Sequence, residues 1–131
     1  MRLFFSILSI IYVACIFILA GSPLSHKLSI FNPYSLLHIP LYGILTFLLI
    51  FSFTPIKNKP INPGNPTSLS NPKTLLLPGG VASIVAIADE IYQIYVPGRD
   101  ASVTDVLLDF VGIGLVLLFT FRFLKAKTIN F

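Results

Sequence analysis

The stretch "DEIYQIYVPGRDASVTDVLLDF", residues 89–110, holds all five acidic residues of a 131-residue chain. Apolar runs flank it, and Pro97 with Gly98 divides it. Before the break Asp89 and Gln93 are four residues apart. After it Asp105 and Asp109 are four apart, so at helical pitch each pair lies on one face. Ala86 continues the first stripe, and Ser102 and Gly112 continue the second. The stretch therefore reads as the ends of two helices joined by a tight turn. Pro97 and Gly98 suit the central positions of a type II turn, and Asp100 or Ser102 can cap the incoming helix. Two polar seams then face each other across that turn.

Outside this stretch the chain is hydrocarbon. It is 55% hydrophobic and 11% charged, against about 45–50% and 25% for soluble domains. A bilayer core needs roughly 20 helical residues, and four segments approach that length: residues 3–20, 33–53, 78–95 and 103–124. The expected fold is all-α, a single domain forming a polytopic bundle of four transmembrane helices. Asn32 and Pro33 supply a helix-start signal for the second segment. The third opens at "PGG" and is rich in Ala and Ser, which allow membrane helices to approach closely. Gly112 and Gly114 read as packing residues in the fourth. The stretch "TPIKNKPINPGNPTSLSNPK", residues 54–73, has five prolines in twenty residues and reads as an irregular loop.

Nine basic residues avoid the apolar segments and lack the aromatic-interleaved patch of a nucleic-acid binder. Across four spans, Arg2, Lys57, Lys59, Lys73, Arg122, Lys125 and Lys127 collect on one side, and Lys27 and Arg99 on the other. That seven-to-two imbalance predicts a multi-pass protein of the cytoplasmic (inner) membrane with both termini in the cytoplasm. The turn at Pro97 then lies at the outer face. The first segment is longer than the apolar core of a signal peptide and is expected to be retained. Cys15 reads as a core or lipid-facing residue, and His26 and Lys27 as part of an exposed loop.

Charged groups at membrane depth cost about 2.5–3.5 kcal/mol each on insertion scales and normally face a bundle interior. The second segment adds His38 and Tyr42, four apart, at the depth of the carboxylates. Pro40 frees the carbonyl of Leu36, which is expected to join the site. The candidate binding residues are His38, Tyr42, Asp89, Glu90, Gln93, Arg99, Ser102, Asp105 and Asp109. Candidates for acid–base chemistry are His38, Asp89, Glu90 and Asp105. His38, Glu90 and Asp105 are the ligands expected should a metal bind. No cofactor is identifiable. A network that merely fastens the helices is the competing reading. One arginine cannot neutralise four carboxylates, however, and serine and glycine fasten membrane helices more cheaply. Ion transport is disfavoured because the inner half carries no acid.

These residues also resemble the signature of the VanZ-like family. Its elements are similar to Asp89, Glu90, Gln93, Pro97, Gly98, Arg99, Ser102, Asp105, Asp109 and Gly112, with an upstream His and aromatic similar to His38 and Tyr42 in "HIPLYGIL". Family members often carry an Asp-Lys pair before the His, where this chain reads "FNPYSLLH" at residues 31–38. The proline-rich inner loop is a second departure. The resemblance implies a small membrane protein of the bacterial cell envelope, in a family named for low-level resistance to the lipoglycopeptide teicoplanin.

The function expected first is binding or modification of a lipid-linked or anionic headgroup at an outer-facing pocket. Arg99 would take the anion, and membrane lipids or a lipoglycopeptide would be the partner. The alternative is an intramembrane acid–base or metal-dependent enzyme acting on a lipid or cell-wall precursor.

Overall fold

A computed structural model describes residues 2–22, 36–53, 72–97 and 102–129. The helix start at Asn32, the loop around His26 and Lys27, the proline-rich loop through Asn71, and residues Gly98, Arg99 and Asp100 lie outside the described residues.

Four α-helices account for most of the described chain: α1 (Arg2–Ala20), α2 (His38–Phe53), α3 (Leu76–Ile94) and α4 (Val103–Ile129). A 3-10 turn, Pro72–Leu75, leads into α3. No strand occurs among the described residues. Pro40 and Pro78 are each the third residue of their helix. The first four amides of a helix have no intrahelical acceptor, so a missing N–H is harmless there. That is why α3 runs through Pro78 instead of starting at it.

The helices alternate in direction. Arg2, at the start of α1, donates from Nε to the carbonyl of Ser52 near the end of α2, at 3.2 Å. Gly79, early in α3, meets Leu117 in the later half of α4. Tyr92, late in α3, packs edge-on against Phe17 of α1, with ring centroids 5.7 Å apart. His38, at the start of α2, lies beside Asp109 in the first half of α4. One end of the bundle therefore carries the exposed Arg2, Lys73 and Arg122, and the other carries the described acids.

Helix α2 is the hub, packing on α1, α3 and most extensively on α4. In an alternating bundle α2 and α4 are parallel and would ordinarily lie across a diagonal. Here glycine closes that diagonal. A Cβ built on Gly112 would lie 2.2 Å from the carbonyl oxygen of Ile39, and one on Gly43 would touch Val116 at 3.4 Å. Only the absent side chain at Gly112 allows the two backbones to approach so closely.

The core of Ile16, Leu45, Leu49, Ala82, Ala86 and Ile113 is apolar, but the burial pattern differs from that of a soluble bundle in what else is inside and what is outside. Ser9, Thr46, Ser52, Asp89, Glu90, Gln93 and Asp109 are buried, while Phe4, Ile7, Ile18, Ile84, Leu115 and Phe119 are exposed. Cys15 is also exposed. The buried hydroxyls of Ser9, Thr46 and Ser52 return to their own helix, donating to Phe5, Tyr42 and Leu48, and half-buried Ser83 likewise donates to Gly79. Such back-bonding satisfies a hydroxyl with no water present. Helices α1 and α4, and the unit of the 3-10 turn with α3, are long and apolar enough to cross a membrane. At 16 residues, α2 is about 24 Å long. An apolar exterior around an interior that holds the polar side chains is the arrangement of a membrane protein.

Candidate functional site

The end of the bundle opposite Arg2 gathers side chains from three helices. On α2, His38 and Tyr42 share a face because α2 begins at His38 and the two are one turn apart. Tyr42 is completely buried. On α3, Ala86, Asp89 and Gln93 form one buried stripe with Glu90 beside it. On α4, Asp105 and Asp109 lie in the first two turns. The alternating direction of the helices brings the start of α2, the end of α3 and the start of α4 to one level.

His38 joins α2 to α4. Its Nδ1 is 2.8 Å from Asp109 Oδ1, and its Nε2 is 3.9 Å from Asp105 Oδ2. Asp109 is wholly buried, whereas His38 and Asp105 retain about 15% and 14% side-chain exposure. The imidazole thus spans from the sealed carboxylate to the accessible one. Asp89 joins α3 to α2 by accepting from Tyr42 Oη at 3.2 Å and from Gln93 Nε2 at 3.3 Å. Glu90 joins α3 to the start of α4, since its Oε2 accepts the backbone amide of Ser102 at 2.9 Å. The carbonyl of Ser102 in turn accepts from Asp105 and Val106 and opens the helix. A carboxylate at a helix N-terminus is also favoured by the helix dipole.

Two buried carboxylate oxygens in the cluster, Glu90 Oε1 and Asp109 Oδ2, have no hydrogen-bond partner among the described residues. Buried acceptors are nearly always satisfied, so these oxygens represent unused binding capacity. Among the described residues no three of His, Cys, Asp and Glu are gathered so as to hold a metal ion. His38, Glu90 and Asp105 are therefore neighbours without forming a metal-holding set.

The structure brings together His38, Tyr42, Asp89, Glu90, Gln93, Asp105, Asp109 and the backbone of Ser102. Arg99, the cation expected at the mouth, lies outside the described residues. The carbonyl of Leu36 lies one turn before Pro40, at the start of α2. It accepts the amide of Ile39 at 3.2 Å, because with Pro40 in the first turn a tighter i→i+3 bond takes the place of the missing one.

A second polar seam, between α1 and α2, was not anticipated. Ser9 Oγ meets Ser52 Oγ at 3.1 Å, and Tyr12 Oη donates to the carbonyl of Leu41 at 2.8 Å. Its signal was present in the spacing, since Ser9, Val13, Ile16 and Ala20 recur at helical intervals and are the inward residues of α1. The seam's hydroxyls, Ser9, Ser52 and Tyr12, all have partners, which makes it a fastening and leaves the acidic end as the candidate site. No family model matches the chain, and no curated protein or solved structure matches it.

Proposed function

We propose that this chain is a VanZ-like protein of the bacterial cytoplasmic membrane, crossing it four times with both termini inside. In this reading its acidic end is an outer-leaflet pocket for the headgroup of a lipid-linked molecule. The observation that carries the reading is the pair of buried oxygens, Glu90 Oε1 and Asp109 Oδ2, that have no partner among the described residues, inside a cluster drawn from three helices. A network that served only to fasten helices rarely leaves buried acceptors unused, because each costs desolvation energy. The family assignment and any link to teicoplanin-type resistance rest on the residues that resemble the signature, chief among them His38, Asp89, Glu90, Gln93, Asp105 and Asp109. Arg99, two residues beyond Pro97, takes the phosphate of the headgroup by bidentate hydrogen bonding. Phosphate-bearing lipid added to the purified protein is expected to raise its unfolding temperature. Arg99→Ala should abolish that protection, and an absence of protection by every phosphate-bearing lipid would refute the reading.

The His38 geometry favours one second reading. An imidazole held by a carboxylate at Nδ1, with Nε2 directed to a more accessible region, is oriented for proton transfer. Product formed from a lipid-linked precursor, and lost in His38→Ala, would move the assignment to an intramembrane acid–base enzyme.

A further inference from the structure

The two ring nitrogens of His38 have different surroundings. Asp105 and Asp109 stand one turn apart on α4, so a single helix brings a carboxylate to each nitrogen. Nδ1 lies 2.8 Å from Asp109 Oδ1, an ordinary hydrogen-bond distance. An ionised carboxylate accepts hydrogen bonds and donates none. The proton of this pair therefore sits on Nδ1, and in the neutral ring Nε2 is left as an acceptor.

Nε2 faces Asp105 Oδ2 at 3.9 Å, which is too long for a direct hydrogen bond. Both side chains keep a small exposure, whereas Asp109 has none. Polar atoms at this separation are the kind that a water bridges, because one oxygen can lie about 2.7–3.0 Å from each. Water also has the right chemistry for two acceptors. It carries two O–H donors, one for Nε2 and one for the carboxylate, whereas an alcohol carries one.

We infer that His38 Nε2 and Asp105 hold a water molecule as the nucleophile of an ester hydrolysis, with Asp109 as the positioning residue that keeps the ring proton on Nδ1. This rests on the acid–base reading of the site and names its reaction class. Nε2 takes a proton as the water oxygen bonds to the ester carbonyl carbon. The bond from that carbon to the alcohol oxygen then breaks, and the departing oxygen takes the proton back from Nε2. Acid, alcohol and a neutral ring remain. Throughout, the Nδ1 hydrogen bond to Asp109 orients the ring and stabilises the transient imidazolium.

The first test needs no substrate. In His26→Gln, which leaves His38 as the single histidine, nitrogen NMR of the full chain in detergent at alkaline pH should find the ring hydrogen on Nδ1. Asp109→Asn should move it to Nε2, a change that a merely structural acid would not cause. The second test is hydrolysis of p-nitrophenyl acetate by the same full chain. His38→Ala and Asp109→Asn should each lower the catalysed rate about a hundredfold or more. Asp105→Ala should lower it about tenfold and leave the hydrogen on Nδ1. Should Asp109→Asn fold poorly, the unsubstituted ring and Asp105→Ala still decide the matter. A hydrogen found on Nε2 beside an intact Asp109 would overturn the inference and leave the acid–base reading standing, with His38 as an acid. An unchanged rate in Asp105→Ala would overturn the placement of the water. Hydrolysis that is no faster than in His38→Ala would overturn the reaction class, and the acid–base reading would then depend on the lipid-linked precursor alone.

Discussion

At His38 one imidazole faces two carboxylates, and the difference between them decides what a substitution does. Asp109 is sealed and Asp105 is not. His38→Ala leaves the buried Asp109 without its partner, and removing one member of a buried pair costs about 3–5 kcal/mol. The loss is expected as a lowered unfolding free energy in detergent. Adding Asp109→Asn to the same chain removes the stranded acid and should recover part of the loss. The expected coupling between the two sites is about 1–3 kcal/mol, and a coupling near zero would show that the two residues do not act as a pair. His38, Tyr42, Asp89, Gln93, Asp105 and Asp109 could all be assigned to one site from their spacing alone. Polar groups in an apolar helix must face inward, and four-residue spacing puts each pair on one stripe. Which residue meets which was not legible: that Glu90 anchors the Ser102 amide while Asp89 takes Tyr42 and Gln93 depends on the rotation of α3 between its neighbours.

Among the elements, α4 shows how two similar glycines can differ. Gly112 and Gly114 are separated by one residue and both read as packing positions, yet they point in different directions. A Cβ on Gly112 collides with the Ile39 carbonyl, whereas one on Gly114 meets nothing within 4 Å. Gly112→Ala must push α2 and α4 apart and is expected to destabilise the protein by about 1–3 kcal/mol, as overpacking does. Gly114→Ala should be neutral or stabilising by up to about 1 kcal/mol, since alanine is the better helix former. Unfolding curves of both variants in one detergent check the pair, and similar losses in the two would argue against the α2–α4 crossing. Periodicity places a glycine on a helix. Only a neighbouring backbone shows whether that glycine is needed.

Across the bundle, the described residues separate charge by end. Among the described residues exposed Arg2, Lys73 and Arg122 sit at one end and the acids at the other, the distribution that the proposed orientation, with the termini inside, requires. In a Cys15→Ala background, Lys27→Cys is expected to react with a membrane-impermeant thiol reagent in intact cells, and Lys57→Cys only after permeabilisation. The reverse pattern would invert the topology and turn the acidic pocket to the cytoplasm. Composition and period were enough to determine an all-α chain with long apolar helices, and one polar site near the turn at Pro97. Hydrocarbon runs near bilayer length and carboxylates spaced by four admit few other solutions. The tertiary structure alone decided the closed α2–α4 diagonal, the Ser9–Ser52 and Tyr12–Leu41 contacts, and the true starts of α2 and α3 relative to Pro40 and Pro78. It also decided which carboxylate oxygens are left over. These features depend on the distance and rotation between helices remote in sequence, and a helical period carries information about the face of one helix without specifying what that face meets.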